Sequence, residues 1–310
     1  MRDPKTGRMN GVFAAGLTML NDDLSIDVAG TVAHSRWMLS NGCDGVLLLG
    51  TTGEANSFSL KERLDFLDRV AASGLPLDRV MIGTGCCAEP DTVALTKLAV
   101  QMGSVGPLAL PPFYFKGVSD EELFQTFARV IDKVNEPKMR LYLYHIPQMS
   151  GVPFSHAVIE RLIRAYPGIV VGLKDSSGDR ANMLAMCEKF PGFDVFSGSE
   201  AFLLDVLRKG GVGTISASVN VTCPLAGRVY KAWRENDPAV DKLQTDLTAL
   251  RGAFQGYGFQ STLKEILARS SGNPRWRNTR PPFLPMKPAD GDAFMHKLSD
   301  VGFEVQRLAA

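Results

Sequence analysis

Short apolar runs, several of them rich in β-branched residues, recur along the chain and are separated by longer amphipathic stretches. The runs predict eight strands, near residues 12–17, 45–49, 80–83, 107–110, 141–144, 169–174, 194–197 and 213–216. Helical spacing of apolar positions predicts helices over 27–40, 60–72, 91–101, 120–134, 155–166, 180–189, 201–209 and 224–234. Strand and helix in regular alternation is the pattern of βα units around a parallel sheet. A unit of about 25–30 residues, repeated over the first 235 positions, matches an (α/β)8 TIM barrel. A doubly wound open sheet is the alternative. Its first strand-to-helix turn would carry G-x-G-x-x-G with an acidic residue about 20 residues further on, and this chain has neither the glycines nor an acidic residue at that distance.

After Asn236-Asp237-Pro238 the strand signals stop, and helices are predicted over 239–254, 261–270 and 292–308. The connection over 273–288 contains Pro274, Pro281, Pro282, Pro285 and Pro288, so it is expected to be extended and packed on the surface. The chain therefore reads as a barrel over 1–235 with a helical extension over 236–310.

With 310 residues, 45% of them hydrophobic, the chain can bury a large core. Its 34 basic and 33 acidic residues leave a net charge of +1, which gives no general attraction to nucleic acid or to an anionic membrane. A small-molecule partner is expected. No apolar run approaches the roughly 20 residues of a membrane span, and Met1 to Lys5 lead into no signal-peptide core, so the expectation is a soluble, cytoplasmic protein. Cys43, Cys86, Cys87, Cys187 and Cys223 are scattered without Cys-x-x-Cys spacing. They indicate neither a disulfide framework nor a metal site, and are expected to be inert thiols.

One strand ends on a charge. Ile169-Val170-Val171-Gly172-Leu173 runs into Lys174, where the interior of a barrel should hold no ammonium. A lysine that snorkels out of the strand end is the plainer reading. Alternation places Val170, Gly172 and Lys174 on one face, with small Gly172 leaving room inside for a long side chain, and Asp175 on the helix side. Thirty residues earlier Leu141-Tyr142-Leu143-Tyr144 ends on a phenol before the loop His145-Ile146-Pro147, so both groups can face one pocket. Desolvation lowers an amine's pKa and frees it to attack a carbonyl, which is Schiff-base chemistry. Tyrosine at a strand end can shuttle the proton. Alternation turns His145 away, into a structural role.

A third loop, Gly50-Thr51-Thr52-Gly53-Glu54, combines backbone N–H groups and hydroxyls that could hold a small anion such as a carboxylate, or could form a plain turn with a helix cap.

These three segments, at this order and spacing, resemble the dihydrodipicolinate synthase/N-acetylneuraminate lyase family of class I, pyruvate-handling aldolases. The resemblance rests on Gly50 to Glu54, the Tyr-x-x-Pro of Tyr144 to Pro147, and the Gly-x-Lys-Asp of Gly172 to Asp175. It implies an (α/β)8 barrel with a helical carboxyl-terminal extension, assembled as a homotetramer of tight dimers. It further implies that Lys174 forms an imine with a 2-oxo acid and that Tyr144 moves protons. Thr51 and Thr52, with Gly53, would hold the carboxylate and orient the phenol. Tyr114, in Pro112-Phe113-Tyr114-Phe115-Lys116, matches a second tyrosine that such synthases supply across the dimer interface; the alternative is an aromatic core residue after the fourth strand. No metal or organic cofactor is expected, because the imine is itself the electron sink.

Departures from the family narrow the substrate. Synthases of this family carry an arginine five residues after the tyrosine, where this chain has Met149, and a thioether cannot make a charge-assisted bidentate contact. Tyr114-Phe115-Lys116 with Ser197-Gly198-Ser199-Glu200 looks more like aldolases and dehydratases of 2-keto-3-deoxy sugar acids. Ser199 and Glu200 are then specificity candidates, or else a Ser N-cap with an acidic first-turn residue. Ile215 of the eighth strand joins the candidate lining. Three further readings stay open: a dihydrodipicolinate synthase that recruits another cation in place of the missing arginine, a barrel that binds a 2-oxo acid without turnover, and a phosphate-binding barrel drawing on Gly210-Gly211-Val212-Gly213.

Overall fold

The computed structural model describes residues 8–303. Eight strands form one closed parallel barrel in chain order: β1 (Gly11–Ala15), β2 (Gly45–Leu48), β3 (Val80–Gly83), β4 (Gly106–Ala109), β5 (Leu141–His145), β6 (Val170–Asp175), β7 (Asp194–Ser197) and β8 (Gly213–Ser216), with β8 pairing back onto β1. Every predicted strand is present within a residue or two. The open-sheet alternative is excluded by the β1–β8 pairing, which leaves the sheet no edge.

Around the barrel run α1 (Val28–Ser40), α2 (Leu60–Ala71), α3 (Glu89–Gln101), α4 (Asp120–Val134), a single turn α5 (Pro147–Ser150), α6 (His156–Ala165), α7 (Arg180–Lys189), α8 (Leu203–Arg208) and α9 (Val219–Glu235). Their starts are written locally. Asp27, Ser155 and Asp179 accept N-terminal amides of α1, α6 and α7, and Ser59/Glu62 and Ser119/Glu122 form reciprocal caps on α2 and α4. The helix predicted from Pro224 begins five residues earlier, at Val219, and carries the proline inside it. Proline suits a first turn and so mimics a start, whereas the actual first turn is set by the Val221 and Thr222 amides donating to Ser218 O.

The barrel interior is filled by side chains from alternate strand positions, among them Phe13, Leu47, Met81, Leu108, Tyr142 and Phe196. The extension consists of α10 (Val240–Ala253), α11 (Phe259–Ser271) and α12 (Pro288–Asp300). The predicted last helix begins four residues early and stops at Asp300; its remainder beyond Phe303 lies outside the described residues, as do Met1 to Lys5. Leu250, Phe254, Leu263 and Phe294 of the extension share one buried cluster with Leu17, Met19 and Val221. The extension thus packs on the loop after β1 and on α9, against the carboxyl-terminal side of the barrel.

Candidate active site

Lys174 on β6 and Tyr144 on β5 are direct register partners near the carboxyl ends of their strands. Equivalent positions on neighbouring parallel strands project to the same side, so both chains enter the barrel mouth. Lys174 and Tyr144 are each 4% exposed. Lys174 Nζ lies 3.3 Å from Tyr144 Oη and 4.4 Å from the ring centroid. Burial alone would raise the phenol's pKa, but the Lys174 charge and hydrogen bonds with Ser176, Thr51 and Lys174 outweigh it and hold Tyr144 below its ordinary value of 10.0. A phenol so placed gives up its proton more readily than a free one.

The alternation argument holds on the far face. Phe154 N–H donates to His145 Nδ1 at 3.1 Å, and Asp175 accepts from Asn182 Nδ2 at 2.9 Å and from Ser177 N–H at 2.8 Å. Both residues serve the strand–helix layer. The room at Gly172 has a different tenant from the one expected. A Cβ there would lie 2.6 Å from the Tyr142 ring and 2.5 Å from Asp194 O, so Gly172 admits Tyr142, whose hydroxyl donates to Asp194 Oδ2 at 3.1 Å, and does not make space for Lys174.

Thr51 shares a narrow cavity with Tyr144, Gly85 and Leu110, and Thr52 beside it is buried. Gly53 is required sterically, since a Cβ would sit 2.8 Å from Gly16 O; its own carbonyl accepts from Thr18 Oγ1 at 2.7 Å. Ile215 is buried in the interior cluster with Tyr144.

Ser176 was not among the residues singled out from the sequence. It helps to hold the Tyr144 pKa down, its amide donates to His145 O at 2.8 Å, and its Oγ occupies the space that a Cβ on Gly198 would take, at 2.1 Å. Asp-Ser-Ser-Gly reads as turn chemistry, yet Ser176 stands two residues past Lys174, the spacing at which a strand returns to the same face. That spacing was the available signal.

Glu200 requires correction as a group offered to substrate hydroxyls. It is 0% exposed and its carboxylate accepts from Ser216, Ser218 and Thr222 of this chain, with Arg251 Nε at 3.7 Å. Ser199 is the cap residue instead, accepting from Ala201 N–H at 3.3 Å. Tyr114 is 76% exposed, which removes the aromatic-core alternative. Met149, on α5, is 59% exposed at the rim. Lys116, on the facing loop, donates its ammonium to Phe113 O and Ser150 O and so offers no substitute for a missing arginine. Gly210 to Gly213 precede or open β8, at the end of the barrel opposite the mouth.

A larger cavity of about 560 Å³, lined by Arg8, Arg140, Val170, Lys189 and Phe193, opens at the amino-terminal ends of β6 and β7. None of the groups above faces it, and chemistry in this architecture belongs to the carboxyl-terminal face. Among the described residues no helix is long and apolar enough to cross a membrane. Cys43, Cys86, Cys187 and Cys223 are buried free thiols and Cys87 is half-buried; burial pushes Cys187 up to about 11.

A closed parallel barrel with an amine and a phenol sealed together at its carboxyl-terminal mouth has the architecture of a barrel enzyme. The chain belongs to the dihydrodipicolinate synthetase family, whose model matches residues 8–301, and is a lyase of that family. It is 33% identical over 277 residues, 89% of this chain and 91% of the relative, to an uncharacterized DapA-like lyase of Chloroflexus aurantiacus. It is 30% identical over 247 residues, 76% of this chain and 78% of the relative, to the Escherichia coli protein YagE, named provisionally as a 2-dehydro-3-deoxy-D-gluconate aldolase. The solved structure of YagE in complex with pyruvate matches with a TM-score of 0.84 at 26% identity, covering 95% of this chain and 99% of that one. A dihydrodipicolinate synthase structure from Agrobacterium tumefaciens matches with a TM-score of 0.85 at 29% identity, covering 94% and 99%.

Proposed function

We propose that the protein is a class I lyase that cleaves or dehydrates a 2-keto-3-deoxy sugar acid through an imine on Lys174. The observation that carries this reading is the sealed 3.3 Å approach of Lys174 Nζ to Tyr144 Oη. In its neutral form the amine attacks the C2 carbonyl of the 2-oxo acid, and the carbinolamine oxygen leaves as water after protonation. Tyr144 delivers that proton. The resulting iminium accepts the electron pair of the breaking C3–C4 bond while the C4 hydroxyl gives up its proton, so an aldehyde departs and an enamine remains. Protonation at C3 and hydrolysis release pyruvate and regenerate the amine. In the dehydrating variant, loss of a C3 proton gives the enamine, which expels the C4 hydroxyl as water. Because the iminium is the electron sink, no metal or organic cofactor takes part.

Thr51 and Thr52, with Gly53, hold the substrate carboxylate, and Thr51, which lines the same narrow cavity as Tyr144 and helps to lower its pKa, orients the phenol. The exposed pair Tyr114 and Phe115, with ring centroids 5.6 Å apart, forms part of a contact between copies of this chain in a homotetramer. The sugar-acid substrate is supported by Met149 in place of a carboxylate-binding arginine, by the engagement of Lys116 elsewhere, and by the likeness to YagE.

A panel assay tests the assignment. Pyruvate is offered with aspartate semialdehyde, glyceraldehyde, glycolaldehyde, glyoxylate and N-acetylmannosamine, and 2-keto-3-deoxy sugar acids are run in the cleavage or dehydration direction. The sugar acids, or their aldehyde fragments, are expected to give the highest kcat/KM. If aspartate semialdehyde gave the highest value and Met149→Arg did not improve it, the argument from the missing arginine would fail and a synthase would replace it.

A further inference from the structure

Glu54 closes the loop that carries Thr51 and Thr52, and its side chain is 0% exposed. One carboxylate oxygen accepts from the Lys264 ammonium, itself 1% exposed, and the other accepts from Arg280 N–H at 2.9 Å. Lys264 lies on α11 and donates a second bond to Asn278 O at 2.7 Å. Gln260, one turn earlier on the same helix, donates Nε2 to the Thr51 carbonyl at 3.2 Å. The loop is thus gripped at two points by the carboxyl-terminal extension. The same extension reaches the loop after β7, where Gln244 Nε2 donates to Glu200 O at 3.0 Å.

The backbone adds a reason for so firm a hold. Glu54 has φ 58°, in the left-handed region that residues with a Cβ rarely adopt. Such a conformation persists only where the surroundings over-determine it. A buried, hydrogen-bonded charge pair does this better than an apolar contact, because it tolerates little displacement before leaving a charge unpaired.

We infer that Lys264 and Gln260 are positioning residues for the carboxylate site: through Glu54 and Thr51, the extension fixes where Thr51 and Thr52 stand, and so sets affinity for the 2-oxo acid from outside the barrel. This rests on the assignment of the substrate carboxylate to Thr51 and Thr52.

Lys264→Met alone buries an unpaired carboxylate and invites misfolding. The informative variant is Glu54→Gln combined with Lys264→Met, which is neutral on both sides and keeps an oxygen for the Arg280 N–H. Borohydride trapping is followed against pyruvate concentration. The double variant is expected to need about 10-fold more pyruvate for half-saturation, with the limiting rate within about 2-fold of wild type, a split that general destabilisation does not produce. Gln260→Ala shifts half-saturation the same way by less. Without ligand, amide exchange over residues 50–57 is expected to quicken about 10-fold while β5 and β6 stay unchanged. A folded double variant with wild-type half-saturation and wild-type loop exchange overturns the inference. If the wild-type protein traps no pyruvate, the reading of Lys174 fails, and loop exchange alone decides the clamp: protection lost in the double variant upholds it, and protection kept overturns it.

Discussion

The Lys174 amine and the Tyr144 hydroxyl stand 3.3 Å apart on adjacent strands, in register and shut away from bulk water. Neither group is placed by a flexible loop. Each sits in the last two residues of its strand, so the hydrogen-bonded ladder between β5 and β6 sets their separation. Groups held on rigid elements lose little freedom when a substrate binds, which is where much of the gain from proximity arises.

Tyr144→Phe removes the hydroxyl and almost no volume. Turnover should fall about 10²–10⁴-fold, the usual contribution of a positioned general acid–base, with the melting temperature close to wild type. Steady-state assays with matched thermal melts check this. Wild-type turnover in the variant would return Tyr144 to a packing role.

Ser176→Ala deletes one of the bonds that lower the Tyr144 pKa. The phenol should then titrate at higher pH than in the wild type, and turnover should drop about 3–10-fold, the effect of one lost hydrogen bond of about 1 kcal/mol. Ultraviolet titration of the tyrosinate, with Tyr144→Phe as the blank, reports the shift. An unmoved titration would show that Ser176 does not act on the phenol.

His34 governs a different property. Its Nε2 meets Asn220 Oδ1 at 3.2 Å, and the Asn220 amide donates to Ala15 O and Ala217 O, both at 2.7 Å, which fixes the facing atom as an acceptor and puts the imidazole hydrogen on Nε2. His34 Nδ1 is buried without a hydrogen-bond partner among the described residues. Protonation would charge a dry site and add a hydrogen facing no acceptor, and burial pushes the pKa down to about 4 from 6.5. As pH falls, the unfolded chain therefore takes up this proton first. Stability should be flat above about 6.5 and decline by about 3 kcal/mol on the way down to about 4. Melts across that window should show a smaller loss in His34→Gln. An identical slope in the variant would exclude His34 as the group responsible.

Much of the barrel was legible because its strands are short, fully buried and bounded by turn residues, so that a single apolar run fixes each element. The faces of Lys174, His145 and Asp175 followed from period-two alternation, which a one-residue slip would have inverted. Long-range partnerships were not legible. Nothing local in Gly172 says that the Tyr142 ring will occupy its space, and nothing in Ser199-Glu200 says that three hydroxyls, from β8, from the turn after it and from α9, will claim the carboxylate. Both are decided by segments distant in sequence that barrel closure brings together. Ser176 was missed because turn chemistry and a strand's last inward position look alike in Asp-Ser-Ser-Gly.

The central claim is that Lys174 is the imine-forming amine, and reductive trapping tests it most directly. Protein is incubated with pyruvate and borohydride, digested, and the peptide containing Lys174 is identified by mass spectrometry. Only an imine is reducible in this way, so the account predicts a three-carbon adduct on Lys174, loss of activity in step with its formation, and no adduct in Lys174→Ala. Full inactivation with Lys174 recovered unmodified, or active protein that never acquires an adduct, would contradict it.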